Sequence, residues 1–398
     1  MKRLFALFAL LSLMLNPGAP ARAADLIGFW DAPRHGADSF NEAPPDRAYF
    51  QALRATGATW VRLTFSKWQG AGRDFLIGDA DHYTGIPASD LSVLRRVLRD
   101  ADAAGLKVVI APLSLPGDRW SQQNGNKDDT RLWNDRAWWD QSAAFWRDLA
   151  AALKDEPMIA GYNLINEPTP EKGMGLDEQA APDARKAWYA RYKGTTHDLP
   201  AFYETLIRAI RAVDPDTPVM VDGGWYANAW SFSYWPSKLS DDKALYSFHM
   251  YEPYEATSGP NIKRKPQLRY PGVESWFGGQ KVRWNKAVMT RYLSGPFDWA
   301  AAHGVPGNRM VAGEFGCVRA WVDCGAYLSD VLDVLKSHHA HWAFYSWRED
   351  GWDAMDYELA PSVTAGQFYY LHEQGKADQL KRAPHPLLDI IEAHMGDD

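Results

Sequence analysis

Two stretches of this 398-residue chain end a short apolar run on a glutamate. They are Tyr162-Asn163-Leu164-Ile165-Asn166-Glu167-Pro168 and Val311-Ala312-Gly313-Glu314-Phe315-Gly316. Taken alone, Asn-Glu-Pro reads as a turn, because Pro ends regular structure and Asn favours tight bends. The second acid changes that reading. A carboxyl just past the C-terminal end of a strand points into the top of a parallel barrel. Two such groups facing across the mouth are what glycosidic cleavage needs: one protonates the leaving oxygen and the other attacks the anomeric carbon. Such a pair also separates its two pKa values, keeping one acid protonated near neutral pH.

The elements between the two glutamates decide whether they meet. Strands are expected at 26–30, 59–64, 107–112, 159–165, 219–222, 245–250, 310–314 and 341–347, ending on Trp347. Helical spacing fills 89–104, 137–153, 200–213, 281–302 and 326–338. Eight strands alternating with helices predict an α/β fold, a single-domain (β/α)8 TIM barrel. Asp90 before the Leu91, Leu94, Leu98 stripe reads as a helix start, and Gly57, Gly105 and Gly304 mark helix-to-strand turns. No glycine-rich dinucleotide or phosphate loop opens a helix. Long insertions at about 169–199 and 252–279, holding Trp188 and Trp276, fall on the C-terminal face and are expected to shape a cleft.

With these motifs in place, the chain resembles glycoside hydrolase family 5, the cellulase family, over essentially all of its length after the leader. The resemblance implies Glu167 as acid/base and Glu314 as nucleophile of a retaining enzyme. It implies that Asn166 binds the sugar 2-hydroxyl and the nucleophile, and that Arg62 holds the nucleophile charged. It places His249 near the acid/base, Tyr251 near the nucleophile, and Trp347 as the floor of the subsite before the cleaved bond. An Arg favours an ionised Glu, a Tyr hydroxyl can meet developing charge, and a Trp face suits the C–H face of a pyranose. One departure stands out: Leu113, in Val109-Ile110-Ala111-Pro112-Leu113, occupies the strand-three position where many members carry a histidine. The implied substrate is a β-1,4-linked glucan cut internally. A mannanase or an exopolysaccharide hydrolase on the same machinery is the alternative. A non-catalytic carbohydrate-binding barrel is the reading from another class, opposed by the charged set around the two acids.

Aromatic content is high, with 19 Trp, 18 Tyr and 16 Phe, enough for a large core with rings left over for flat contacts. Trp68, Trp120, Trp225, Trp235 and Trp352 follow predicted strands and are candidate sugar platforms, whereas Trp138, Trp139 and Trp146 have helical spacing and read as packing. His338, His339 and His341 straddle an element boundary, so their side chains should diverge, and no metal site or cofactor is expected. Asp350, Asp353 and Asp356 lack calcium-hand spacing and read as hydrogen-bonding loop residues. Net charge is −7, which disfavours nucleic acid and anionic membranes as partners. The run Lys263-Arg264-Lys265 reads as a solvated loop. Cys317 and Cys324 either bridge a short loop or are two buried thiols. Residues 1–23 read as a signal peptide, with Lys2 and Arg3, an apolar run and Ala21-Arg22-Ala23. A secreted or periplasmic domain at 24–398, monomeric and free of the membrane after cleavage, is the expectation.

Overall fold

The computed structural model describes residues 26–396 except 365, 377–381 and 384, so the predicted leader lies outside the described residues. Ten strands follow in chain order: β1 (His35–Ser39), β2 (Trp60–Leu63), β3 (Lys107–Ile110), β4 (Ile159–Asn163), β5 (Val219–Asp222), β6 (Ala244–Met250), β7 (Glu274–Phe277), β8 (Gln280–Arg283), β9 (Met310–Phe315) and β10 (His341–Phe344). Eight of them close a barrel in the order β1-β10-β9-β6-β5-β4-β3-β2, and β7 and β8 form a separate antiparallel pair. Every barrel pairing is parallel. This is the (β/α)8 architecture expected from the alternation. Among the described residues no helix is long and apolar enough to cross a membrane.

The flanking helices form where an apolar stripe meets a cap. Arg136–Leu153 starts at Asp135, whose side chain accepts from the Ala137 amide, and buries Trp139, Phe145, Trp146, Leu149 and Leu153 at three- and four-residue spacing. Trp146 also donates from Nε1 to the Leu164 carbonyl at 2.9 Å, tying this helix to the segment that carries Glu167. Leu199–Arg211 starts at Asp198, which accepts from the Ala201 amide, and buries Phe202, Tyr203, Leu206, Ile207 and Ile210.

Three expectations are corrected. The run 26–30 is not a strand: Leu26–Asp31 is a 3-10 turn, and the first strand is the unpromising His35–Ser39. The helix predicted from 281 begins at Lys286, capped by Asn285, because its first residues belong to β8. Asp90 is not a cap. Its buried carboxylate instead accepts from the amides of Ala71 (2.9 Å) and Leu76 (3.1 Å).

The 3-10 turn has its own task. Trp30 is completely buried with Trp60, Val109, Ala160, Met220, Leu245, Val311 and Ala343, one side chain from each of seven barrel strands. Its indole donates to the Ala160 carbonyl at 3.0 Å. The eighth strand contributes Gly36, where a Cβ would lie 2.3 Å from the Trp60 carbonyl oxygen. Trp30 thus plugs the barrel floor, and the predicted strand's apolar character is spent on that plug.

Two bulges set which side chains face inward. On β4 the pairing with β3 skips from Ile159 to Gly161, so Ala160 and Asn163, three residues apart, are both inward. On β9 the pairing with β6 skips from Ala312 to Glu314. Strict alternation from Val311 would turn Glu314 outward; the extra residue at Gly313 returns it to the interior. A side chain at Gly313 would meet Ser247 Oγ at 2.3 Å, so glycine is required there.

Trp30→Ala should cost about 3–5 kcal/mol, the range for emptying a buried aromatic site. Urea unfolding checks this, and a loss below about 1 kcal/mol would mean the turn is not part of the core.

Candidate active site

Arg62, at the inward end of β2, organises the mouth. Its guanidinium is fully buried and contacts Glu314 Oε1 at 2.7 Å, Asp38 Oδ1 at 3.1 Å and Asp222 Oδ2 at 3.5 Å. It also donates to Asn163 Oδ1 at 2.8 Å and Asn166 Oδ1 at 2.7 Å. A buried charge is tolerated only when opposite charges and hydrogen bonds replace water, and five acceptors do so here. Burial drives Asp38 well above the usual carboxylate range, with the Glu314 charge adding to the rise and Arg62 opposing it.

The two glutamates receive different surroundings. Glu314, at the end of β9, accepts from Arg62 on one oxygen and from the Tyr251 hydroxyl at 2.8 Å on the other. Burial raises its pKa, while His249, Arg62 and the Tyr251 hydrogen bond pull it back. Glu167 has no cation in direct contact. Its carboxyl, 28% exposed at the foot of the cleft, is pushed to about 8 by burial and then by the Asp222 charge, with Arg62 opposing. Its Oε1 lies 2.8 Å from His249 Nδ1, and burial lowers the His249 pKa. The Glu167 backbone is left-handed, with φ of 50°, and its amide donates to Asp222 Oδ2 at 3.1 Å. The turn suggested by Asn-Glu-Pro and the acid at its centre are therefore the same residue. A carboxylate oxygen of each glutamate and a ring nitrogen of His249 lie within 4.8 Å of one another. Those are donor types a metal would accept, but the guanidinium already against Glu314 opposes a second cation there.

A cleft of about 790 Å³ opens over this group. Of the five candidate tryptophans, Trp120 and Trp352 line it. The other assignments are corrected. Trp347 is 2% exposed and lies beneath the mouth, where its carbonyl accepts from the Tyr49 hydroxyl at 2.8 Å and its Nε1 faces the Tyr49 carbonyl. The reason is length: β10 ends at Phe344, so Trp347 lies beyond the inward-facing position. Tyr345 faces the cleft instead, 6.4 Å from the Tyr251 ring and 6.1 Å from Trp352. Trp68 packs on Phe75 in the core, and Trp235 packs among Phe232, Tyr246 and Trp299. Trp225 is half-buried against the core, and its left-handed neighbour Tyr226 lines the cleft in its place. Leu113 is buried, and the loop after β3 presents Trp120, Ser121 and Gln122 to the cleft.

Asp38, Asn163 and Asp222 were not singled out in the sequence. Asp222 closes an expected strand and Asn163 lies inside one, so both had a positional signal; Asp38 had none, because β1 itself was misplaced. The remaining expectations resolve plainly. His338 stacks on Phe297 at 4.1 Å while His341 faces the Asn308 carbonyl, so the histidines diverge. Asp350 accepts from the amides of Glu42 and Ala43, and Asp353 and Asp356 bond within their own loop region. Residues 263–265 are exposed. Cys317 and Cys324 form a disulfide, with Sγ atoms 2.08 Å apart.

A closed parallel barrel with two glutamates converging at the ends of its fourth and seventh strands defines the class of barrels built around a carboxyl pair. Within that class the chain belongs to the cellulase family, glycosyl hydrolase family 5, whose model matches residues 27–351. A β-xylosidase of Phanerodontia chrysosporium is 23% identical over 78% of this chain, which spans only 57% of that relative. A probable glucan 1,3-β-glucosidase A of Neosartorya fischeri is 22% identical over 77% of this chain and 71% of its own length. Among solved structures, the Pseudomonas stutzeri endoglucanase Cel5A in complex with cellobiose superposes with a TM-score of 0.60 at 16% identity, covering 92% of this chain and 93% of that one.

Arg62→Met should destabilise the fold by about 3–5 kcal/mol, because Asp38, Asp222 and Glu314 lose the buried guanidinium they share. Chemical denaturation reads this directly, and an unchanged midpoint would show that the carboxylates do not depend on it.

Proposed function

We propose that this chain is a retaining β-glycoside hydrolase that cuts β-1,4-linked glucan internally. The observation that carries the reading is the close approach of Glu167 and Glu314 in unequal surroundings. Their oxygens lie within 4.8 Å, on the side of the roughly 5–5.5 Å carboxyl separation of retaining enzymes and well short of the roughly 6.5–9.5 Å that leaves room for water in inverting ones. Glu314, held by Arg62 and Tyr251 and pulled toward ionisation, is the nucleophile. Glu167, with its raised pKa, is the acid.

In the first step a Glu314 oxygen bonds to the anomeric carbon as the glycosidic bond breaks, and Glu167 delivers its proton to the departing oxygen. Water then bonds through its oxygen to the anomeric carbon as Glu167 takes its proton and the bond to Glu314 breaks, freeing the sugar and restoring both acids. The Tyr251 hydroxyl stays within reach of the nucleophile's second oxygen. Asn166, whose carbonyl is taken by Arg62, keeps its amide nitrogen to donate to a sugar hydroxyl. Endoglucanases are among the proteins sharing the fold, which supports the internal cut of a glucan. Leu113 at the end of strand three gives weight to a second reading, a mannan or an exopolysaccharide as substrate. The basic and apolar N-terminal segment supports action outside the cytoplasm.

Glu314→Gln should lower turnover of a soluble β-glucan by about a thousandfold or more while glycan binding persists. Unchanged product release would remove Glu314 from the chemistry, and proton NMR of the first-formed anomer reports retention or inversion. Activity should also fall as pH rises through about 8, where Glu167 loses the proton the first step requires. Glu167→Gln, assayed on an aryl glycoside whose leaving group needs no acid, should lose that alkaline limb.

A further inference from the structure

The cleft is asymmetric in charge. On one side Lys67 is paired with Glu349 at 2.8 Å and lies over the rings of Phe40 and Trp120. On the other side Glu178 and Glu252 line the cleft, and among the described residues neither forms an ion pair. Their partners are neutral: Gln179 Nε2 and the Tyr254 amide donate to Glu252 at 2.7 and 3.0 Å, and the Asn228 side chain hydrogen-bonds Glu178. The buried Arg185 stands behind this wall, donating to the backbone carbonyls of Ala180 and Glu178, and its charge bears on Glu171 as well as on Glu178. Lys172 is taken up by Asp128 at 2.8 Å while stacked over Tyr226. One buried guanidinium therefore stands against Glu171 and Glu178, while the charges of Glu178 and Glu255 both bear on Glu252.

Two further atoms point to an absent ligand. Tyr292 is 1% exposed and Ser258 5%; both line this cleft, and neither hydroxyl has a hydrogen-bond partner, although the Ala229 amide lies near Tyr292. A buried hydroxyl without a partner is costly, and here both border a cavity a ligand can fill. Tyr254, 60% exposed, and Tyr226, 39% exposed, offer rings beside them. The Glu167 charge bears on both Glu178 and Tyr254, so this wall lies on the side of the acid, where the leaving group departs.

We propose that the leaving-group half of the cleft binds an amino sugar, its ammonium received by Glu178 and Glu252 and its hydroxyls by Ser258 and Tyr292. The substrate is then a β-1,4-glucan backbone bearing free 2-amines, a polycation that suits this acidic wall. This inference rests on the glycosidase reading and narrows its substrate. Burial and mutual repulsion hold Glu252 at about 7 and raise Glu178, and an arriving ammonium relieves both effects. A neutral sugar satisfies the hydroxyls but leaves the carboxylates uncompensated.

The test compares three hexamers on the intact protein: β-1,4-linked glucosamine, its fully N-acetylated form, and cellohexaose. The expected kcat/KM for the glucosamine hexamer exceeds each of the others by about tenfold, the scale of one charge-assisted contact. Added salt should shrink that ratio, and the E178Q/E252Q double variant should bring it to about one. Equal or better cleavage of either neutral hexamer overturns the proposal, as does a ratio that survives the double substitution. Cleavage of none of the three defeats the glycosidase reading instead. Calorimetric binding to the wild-type protein then decides the inference separately: tighter binding of the glucosamine hexamer than of cellohexaose supports it, and equal or weaker binding overturns it.

Discussion

Arg62 holds a full positive charge out of water at the centre of three carboxylates and two side-chain amides. Those acceptors come from β1, β4, β5 and β9 and from the segment after β4. A single guanidinium therefore joins parts of the chain as much as 252 residues apart. Because an unpaired ion in this position would be severely unfavourable, the barrel must close in the register that delivers every partner. The same contacts keep Glu314 ionisable despite burial. Stability and reactivity are coupled at this residue: the interaction that makes the charged mouth tolerable also prepares one carboxylate for attack.

Glu167 differs because the guanidinium does not touch it. Its nearest polar neighbour is an imidazole whose pKa burial lowers, and its amide is anchored to Asp222. Burial raises the pKa of both glutamates, but only Glu314 has a guanidinium and a tyrosine hydroxyl in contact to oppose it, within 4.8 Å of Glu167. A uniform environment would leave them to share one proton without a fixed assignment. The cleft above extends this unevenness. One wall has Glu349 matched by Lys67, and on the other Glu178 and Glu252 form no ion pair among the described residues.

Aromatic rings divide along a similar line. Trp30, Trp60, Trp146, Trp235 and Trp347 fill the floor, the helix contacts and the space beneath the mouth, whereas Trp120, Trp352, Tyr226, Tyr254 and Tyr345 face the cleft. Burial of the first group positions the second. Trp146, for example, fixes the carbonyl of Leu164, three residues before Glu167.

The sequence by itself determined the alternation of strands and helices, the two glutamates at strand ends, and the companions Arg62, Asn166, His249 and Tyr251. The alternation and the two glutamates follow from local pattern and the four companions from the family resemblance, and neither needs distant contacts. What it could not show is set by non-local packing. His35–Ser39 lacks any β-branched run, and only pairing with β2 and β10 makes it a strand, so Asp38 stayed hidden with it. Trp30 has a strand's apolarity but is consumed by the floor. Trp347 and Tyr345 lie two residues apart, and which one reaches the cleft depends on where β10 ends. The bulges on β4 and β9 decided the rest: strict alternation from Val311 turns Glu314 away from the cleft, and only the register of β9 against β6 turns it in. Inward orientation is a property of paired strands, and the tertiary structure alone supplies it.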